Sequence, residues 1–391
     1  MLHSQSLLEI ARLFLYLGAT AFGGPAAHIA LMKTEVVARR EWLTEKEFLD
    51  LLGAVNLVPG PNSTELAMAI GYRRAGIAGL VTAGVLFILP SMLMVMALAG
   101  GYIRFGNLPV IAGVLYGAKP VAIAVIAQAV AGLLKTAFRT RTLIVLGGVA
   151  FAFALYGITP LAVLFGTGGV SLIISLLSQK REERTPFPKP LIFFLIVLLV
   201  IPPLLSFLLT RGQSGTYGLM ALFLFFLRIG GTLYGSGYAL LAFLNTDLVM
   251  RLHWLTPAQL LDATAIGQAT PGPVFTTATF IGFLKGGISG AIVATVGIFL
   301  PGFVFVAFGE RLASTLRKEP MTAFFLDGVN VASVALMASV CLLLAHDALR
   351  DLPTLLLGIT SAVLLIRFRV NSAYLLVSGA ILGACLSMFR G

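Results

Sequence analysis

The sequence predicts an all-α polytopic membrane protein made of two homologous six-segment halves, inverted relative to each other, with an extra connecting helix and helices broken at Pro-Gly-Pro motifs. Three observations carry that prediction. Residues of the AVILMFWYC set make up 58% of the 391 residues and DEKR only 11%, against about 25% charged residues in a typical globular chain. A surface facing water cannot be built from so few charges, and a mean hydropathy of +0.99 places most of the chain in lipid. The sequence also repeats itself, and it carries Pro59-Gly60-Pro61 and Pro271-Gly272-Pro273 at matching places inside apolar runs.

Apolar segments read at 7–32, 48–72, 76–103, 108–134, 141–157, 159–178, 191–210, 217–244, 257–283, 286–309, 321–346, 352–367 and 371–389. A spanning helix needs about 20 residues, so 141–157 and 352–367 are short. The run Lys33–Glu47 mixes charges around Trp42 and reads as an amphipathic interfacial helix. Ser178–Pro190 carries both signs of charge and three prolines, the composition of a linker. The domains are therefore 1–178, 179–216 (linker plus one extra helix) and 217–391. The N-terminus has no basic n-region or small-residue cleavage site, so no cleaved signal is expected.

A shift of 212 residues lays REWLTEKEFLDLLGAVNLVPGP over LHWLTPAQLLDATAIGQATPGP, matching Trp42 to Trp254, Thr44 to Thr256 and Asp50 to Asp262. One residue then drops out. Gly71, Arg74, Gly76, Gly79, Pro90, Pro109 and Gly117 meet Gly282, Lys285, Gly287, Gly290, Pro301, Pro320 and Gly328. Upstream, Gly18, Thr20 and Gly23 meet Gly230, Thr232 and Gly235. If all thirteen segments span, equivalent helices are an odd number of crossings apart and the halves are inverted, an arrangement common among secondary transporters. If the two Pro-Gly-Pro segments are re-entrant, eleven spans remain and the halves are parallel. The distribution of Lys and Arg does not separate the two.

The net charge of +11 has two readings in such a chain: basic cytoplasmic loops or an anionic cargo. Nucleic acid is not an expected partner, because no basic patch is interleaved with solvent-facing aromatics. Cys341 and Cys385 lie in apolar segments without metal-ligand spacing and read as small apolar side chains. No phosphate-binding GxxxxGK[ST] loop, HExxH or grouped nucleophile and base occurs, so neither ATP-driven transport nor an enzyme is expected, and no metal or cofactor is implied.

Proline forces each Pro-Gly-Pro segment to break and favours the first position of the next helix. Asn62, Ser63 and Thr64 follow the first break, and Thr276 and Thr277 the second. Free amides and the positive end of the dipole make such a helix start an anion site. The glycine clusters Phe22-Gly23-Gly24-Pro25 and Tyr234-Gly235-Ser236-Gly237 allow a close approach or an unwound turn. Gly24 and the neighbouring His28 join the candidate anion ligands. Lys119 and Arg228 stand inside apolar segments, where a charge costs about 2.5–3.5 kcal/mol even on the insertion scale. Each is a candidate anion ligand or the partner of Glu65, Asp262 or Asp327. Glu65 and Asp327 are also candidate proton carriers, the usual role of intramembrane carboxyls. Asp50 and Asp262 precede the breaks and read first as capping or pairing groups. Arg73, Arg74 and Lys285 read as interfacial anchors.

Taken together, FGGPAAHIALMKTEVVARREWL and VPGPNSTELAMAIGYRRAGIAGLVTAGVLFILP in the first half, with RIGGTLYGSGYALLAFL and GQATPGPVFTTATFIGFLKGGISGAIVATVGIFLPGFVFV in the second, resemble the chromate ion transporter family in its long two-domain form. The resemblance implies export of chromate across the bacterial inner membrane by a chemiosmotic, proton-linked mechanism. Sulfate, also a tetrahedral dianion, is the natural look-alike. The stretch PGPN…GYRRAG also resembles the lysine-exporter superfamily, whose cargo is amino acids. The implied partners are an inorganic oxyanion and the lipid bilayer, and a homodimer is open.

Overall fold

A computed structural model describes residues 2–57, 59–106, 108–178, 218–234, 237–316 and 320–390. The predicted connecting helix 191–210, the linker before it, and Gly235 and Ser236 of the second glycine cluster lie outside the described residues. Every regular element among the described residues is helical. The first half comprises α1 (Leu2–Thr20), α2 (Gly24–Lys33) running into a π-helical turn at Thr34–Arg39, α3 (Glu45–Val55), α4 (Asn62–Phe105), α5 (Pro109–Ala137), α6 (Arg141–Leu155) and α7 (Pro160–Ser178). The second repeats the order: α8 (Leu219–Thr232), α9 (Leu240–Leu244) running into a π-helical turn at Asn245–Arg251, α10 (Pro257–Ala269), α11 (Thr277–Leu316), α12 (Pro320–Ala348), α13 (Leu352–Arg367) and α14 (Ser372–Arg390).

The same local chemistry starts equivalent helices. Thr44 accepts from the Glu47 amide while the Glu47 carboxylate accepts from the Thr44 amide at 2.8 Å. Thr256 and Gln259 form the same reciprocal cap on α10. Such caps satisfy amides that have no partner inside the helix. Pro109 and Pro257 open α5 and α10 at the first turn, where the missing N–H costs nothing.

Five stretches among the described residues are long and apolar enough to cross a membrane: Asn62–Phe105, Pro109–Ala137, Pro160–Leu177, Val274–Phe308 and Met321–Ala348. The outward faces of four of them carry Ile77, Leu93, Ile173, Ile288 and Leu342, all more than half exposed, as lipid contact requires. The chain is a multi-pass membrane protein.

The segments 48–72 and 76–103 are joined more tightly than the sequence suggests. α4 reverses at Ala75 (φ −148°, ψ 28°) and Gly76 (φ 60°, ψ −147°), and α11 reverses identically at Gly286 (φ −145°, ψ 21°) and Gly287 (φ 60°, ψ −147°). A side chain at Gly71 would collide with the Gly79 carbonyl, and one at Gly282 with that of Gly290. The repeated glycines thus let two limbs of a hairpin touch backbone to backbone. The limbs before the turns are short half-helices, of which neither alone crosses a bilayer.

The two halves interleave. α5 packs on α13 and α14 of the second half, and α12 on α6 and α7 of the first. A Cβ at Gly117 would strike the Gly379 carbonyl; at the equivalent Gly328 it would come 2.7 Å from the Thr167 carbonyl and 2.9 Å from Gly168 Cα. Small residues permitting close backbone approach are how helices associate in lipid, where burial of apolar surface gives no drive.

Candidate functional site

The site is built from backbone first. α3 ends at Val55 and α4 begins at Asn62, with Pro59-Gly60-Pro61 between; α10 ends at Ala269 and a short 3₁₀ turn begins at Val274. Gly60 (φ 141°) and Gly272 (φ 88°) sit where L side chains are strained. The Gly60 amide donates to the Leu233 carbonyl at 2.8 Å, and the Gly272 amide to the Ala21 carbonyl at 2.9 Å. Ala21 and Leu233 follow α1 and α8 directly, at the start of the two glycine clusters. Gly23 (φ 101°) and Gly24 (φ 76°) unwind the chain there. Each half's Pro-Gly-Pro break is therefore bonded to the unwound point of the other half.

Side chains gather on this backbone junction. His28, 1% exposed, lies 3.1 Å from the Ala21 carbonyl through Nε2 and 3.3 Å from Ser63 Oγ through Nδ1. A carbonyl only accepts, so Nε2 carries the proton and Ser63 donates to Nδ1. Phe87 meets the ring edge-on at 5.6 Å. Thr276 donates to the Pro273 carbonyl at 2.7 Å, which leaves Ser91 to donate to Thr276 at 3.0 Å. Thr277 donates to the Val274 carbonyl at 2.8 Å. Asn62 spans the first break, donating to Asn56 Oδ1 at 2.7 Å. Tyr234 is buried, and its carbonyl accepts from Ser333 at 2.8 Å.

Three buried side chains at the breaks keep hydrogen-bonding atoms without a protein partner among the described residues: the Thr64 hydroxyl, both Glu65 carboxyl oxygens and the Gln268 amide nitrogen. Glu65 is 0% exposed. A Cβ at Gly60 would collide with its Oε1, and one at Gly302 would lie 3.5 Å from it. Leaving a buried polar group unmatched costs about 1–3 kcal/mol, and such groups concentrate where function needs them.

Lys119 and Arg228, the two cations read inside apolar segments, are both paired. Lys119 Nζ lies 2.8 Å from Asp262 Oδ1, and Tyr102 donates to Asp262 Oδ2 at 3.0 Å. Asp262 was one of the partners the sequence offered. Its helix, α10, leads into the second break, so this pair ties α5 of the first half to the second half's half-helix. Arg228 pairs instead with Asp247 and lies over the Phe225 ring at 5.4 Å. Asp247 was not among the expected partners; the π-helical turn at Asn245–Arg251 folds back on α8 and brings it there. Asp327, half-buried on α12, faces Arg139 ahead of α6. Arg74 reaches Glu9 at 3.1 Å and covers Trp42 at 5.1 Å, as an interfacial anchor does.

Sequence reasoning passed over Ser91, Tyr102, Asp247 and Gln268. Gln268 had a usable signal, since it stands at the repeat position of Asn56. Ser91 follows Pro90 and is the counterpart of Gly302, the residue facing Glu65.

The doubled architecture is matched by comparison with known proteins. The chromate transporter family signature matches residues 8–172 and again 220–384. The chain belongs to the chromate transporter family. It is 33% identical over 386 residues to the chromate transport protein of Cupriavidus metallidurans, covering 97% of this chain and 92% of that one. It is 31% identical over 364 residues to a probable chromate transport protein of Synechococcus elongatus, covering 92% and 90%. An uncharacterised transporter of Methanocaldococcus jannaschii is 25% identical over 389 residues, covering 97% and 94%. No solved structure matches the chain.

Proposed function

We propose that this protein is a secondary transporter that exports a tetrahedral oxyanion, chromate or its look-alike sulfate, across the bacterial inner membrane, driven by the proton-motive force. The observation that carries the reading is the reciprocal pair of bonds Gly60 to Leu233 and Gly272 to Ala21. It brings two interrupted helices together, so that first-turn amides and hydroxyls converge inside an apolar bundle. Oriented amides at a helix start favour an anion, and a low-dielectric surround strengthens that preference.

In this reading Thr64 and Gly24 contact the anion at the first break, and His28 and Ser63 join them by giving up their bonds to the Ala21 carbonyl and to each other. Lys119 supplies the positive charge, and the anion competes with Asp262 for its ammonium. Asn62, Thr276 and Thr277 hold the backbone of the breaks, and Arg228 holds the π-helical turn through Asp247. Glu65, buried beside Gly60 and Gly302, exchanges the coupling proton, and Asp327, which faces Arg139, is the second carrier the sequence offers. The relatives named chromate transport proteins favour this cargo over amino acids.

Inverted halves are part of the proposal. Ser91 lies beside Thr276, and Gly100 comes 3.5 Å from Phe283 by its Cβ position, so the second limb of α4 runs alongside the first limb of α11 in the same direction. Each hairpin reverses on itself. Equivalent limbs therefore run oppositely, which supports the division into repeats 1–178 and 217–391 about a connecting segment at 179–216.

The decisive test is transport in proteoliposomes. Labelled sulfate or chromate should accumulate down an imposed gradient, each should compete with the other, and lysine should compete with neither. Collapse of the pH gradient should stop net uphill movement while leaving anion exchange intact. Competition by lysine, or uphill movement indifferent to the pH gradient, removes the cargo or the coupling respectively.

A further inference from the structure

The two breaks share a backbone and differ in the side chains beside it. Past the Pro-Gly-Pro motifs the repeat offset is 211, so Glu65 corresponds to Thr276 and Gly302 to Ser91; ahead of them it is 212, and Tyr234 corresponds to Phe22. At the second break Thr276 is held. Ser91, from the first half, donates to it at 3.0 Å, and Thr276 donates to the Pro273 carbonyl at 2.7 Å. At the first break Glu65 is not held: both of its oxygens lack a hydrogen-bond partner among the described residues. The place of the Ser91 side chain is taken by Gly302, which has none. Tyr234 stands beside the carboxyl, but its hydroxyl donates to the Leu57 carbonyl at 3.5 Å, and a hydroxyl has one proton to give.

Gly302 is not a packing glycine. A Cβ at Gly71 or Gly117 would strike a backbone carbonyl, whereas one at Gly302 would meet only Glu65 among the described residues, 3.5 Å from its Cγ and Oε1. That is ordinary van der Waals contact. Glycine inside a helix is less stable than alanine, so Gly302, inside α11, gives up stability without letting two backbones touch. What it removes is a side chain beside the carboxyl.

We propose that Gly302 is a positioning residue for the coupling proton: by denying Glu65 the hydroxyl that Ser91 gives Thr276, it keeps the carboxyl unlatched and free to load and release a proton. A hydroxyl donating to a carboxylate makes a charge-assisted bond, about twice as strong as one between neutral groups, and that bond would have to break at each protonation. The proposal rests on the reading of Glu65 as the proton carrier and adds the reason why the first of two equivalent breaks carries it.

Gly302→Ser in the full-length protein, reconstituted in proteoliposomes, tests this. Its hydroxyl, carried on a Cβ 3.5 Å from Oε1, comes within hydrogen-bond reach of the carboxyl. Uphill sulfate transport driven by a pH gradient should fall about tenfold, the equivalent of one hydrogen bond to a charged group, while sulfate–sulfate exchange, which moves no proton, persists. Gly302→Ala adds the methyl group without the hydroxyl and should transport uphill as the unmodified protein does, a split that a merely structural role would not produce. In detergent Gly302→Ser should also melt above Gly302→Ala, because a buried carboxyl gains a partner. Uphill transport at the unmodified rate in Gly302→Ser, at equal membrane content, overturns the proposal. Loss of uphill transport in Gly302→Ala makes the glycine a packing residue and overturns it as well. Failure of Gly302→Ser to insert where Gly302→Ala inserts does the same, since the hydroxyl then has no bond to make. Glu65→Gln, run beside them, separates the two levels. If it blocks uphill transport and Gly302→Ser does not, the latch alone fails; if it transports uphill normally, the proton carrier lies elsewhere and the proposal falls with that reading.

Discussion

The amide of Gly60 donates to the carbonyl of Leu233 at 2.8 Å, and the relation returns with the halves exchanged, from Gly272 to Ala21 at 2.9 Å. In an apolar bundle a broken helix leaves amides and carbonyls that water cannot satisfy, and each unmatched group costs several kcal/mol in lipid. Here each half removes part of that cost from the other. Each break is thus bonded across the repeat, to the unwound turn of its counterpart. A site formed this way is shared between two bodies and responds to any movement between them.

Gly60→Ala and Gly272→Ala should each reduce transport at least tenfold while the protein still inserts. Both positions have positive φ, for which strain of about 1–3 kcal/mol is expected. The new methyl group meets Glu65 in one case and Ser91, at 2.8 Å, in the other. Transport assays beside quantified membrane content check this; wild-type rates in either variant would show that the tight backbone is dispensable.

Lys119→Ala should abolish transport and lower stability, by up to about 3 kcal/mol, because Asp262 is left without its cation. Lys119 is 21% exposed as a side chain and Asp262 5%, so the loss falls below that of a wholly buried pair. The double variant Lys119→Ala/Asp262→Ala should recover thermal stability in detergent without recovering transport. Recovery of both would reduce Lys119 to a structural role.

Arg228→Ala should lower expression and melting temperature more than it changes affinity for the anion. The pair with Asp247 holds the π-helical turn to α8, and Phe225, on the same helix as Arg228, supports the guanidinium. Arg228→Met/Asp247→Leu should fold and transport. A folded double variant with a large rise in half-saturating sulfate concentration would return Arg228 to the anion site.

Glu65→Gln keeps the shape of a side chain that is 0% exposed and removes its exchangeable proton. Sulfate–sulfate exchange should persist, while uphill transport driven by a pH gradient should fall to the level of passive exchange. Uphill transport at normal rates would assign the coupling proton elsewhere.

Ile77 and Ile288 occupy equivalent positions just after the two hairpin turns and are 65% and 62% exposed. With Cys341 and Cys385 replaced by alanine, single cysteines at these positions should be labelled by an impermeant maleimide from opposite faces of the membrane. Labelling from one face would make the halves parallel.

The sequence by itself determined the solvent, the helical class, the doubling and the places where helices must break. Hydropathy, the glycine and proline positions and the paired tryptophans are local or periodic properties, and they survive without knowledge of what packs on what. The caps at Thr44 and Thr256 and the reversals at Gly76 and Gly287 follow from chemistry within a few residues. Tertiary structure alone decided which half satisfies which break, that α5 and α12 each pack among helices of the other half, and that Lys119 pairs with Asp262 and Arg228 with Asp247. A buried charge announces that it needs a partner, but the partner is selected by which backbones come close. In lipid that closeness is set by small residues such as Gly117 and Gly379 meeting across the repeat, a relation between surfaces with no signature along the chain.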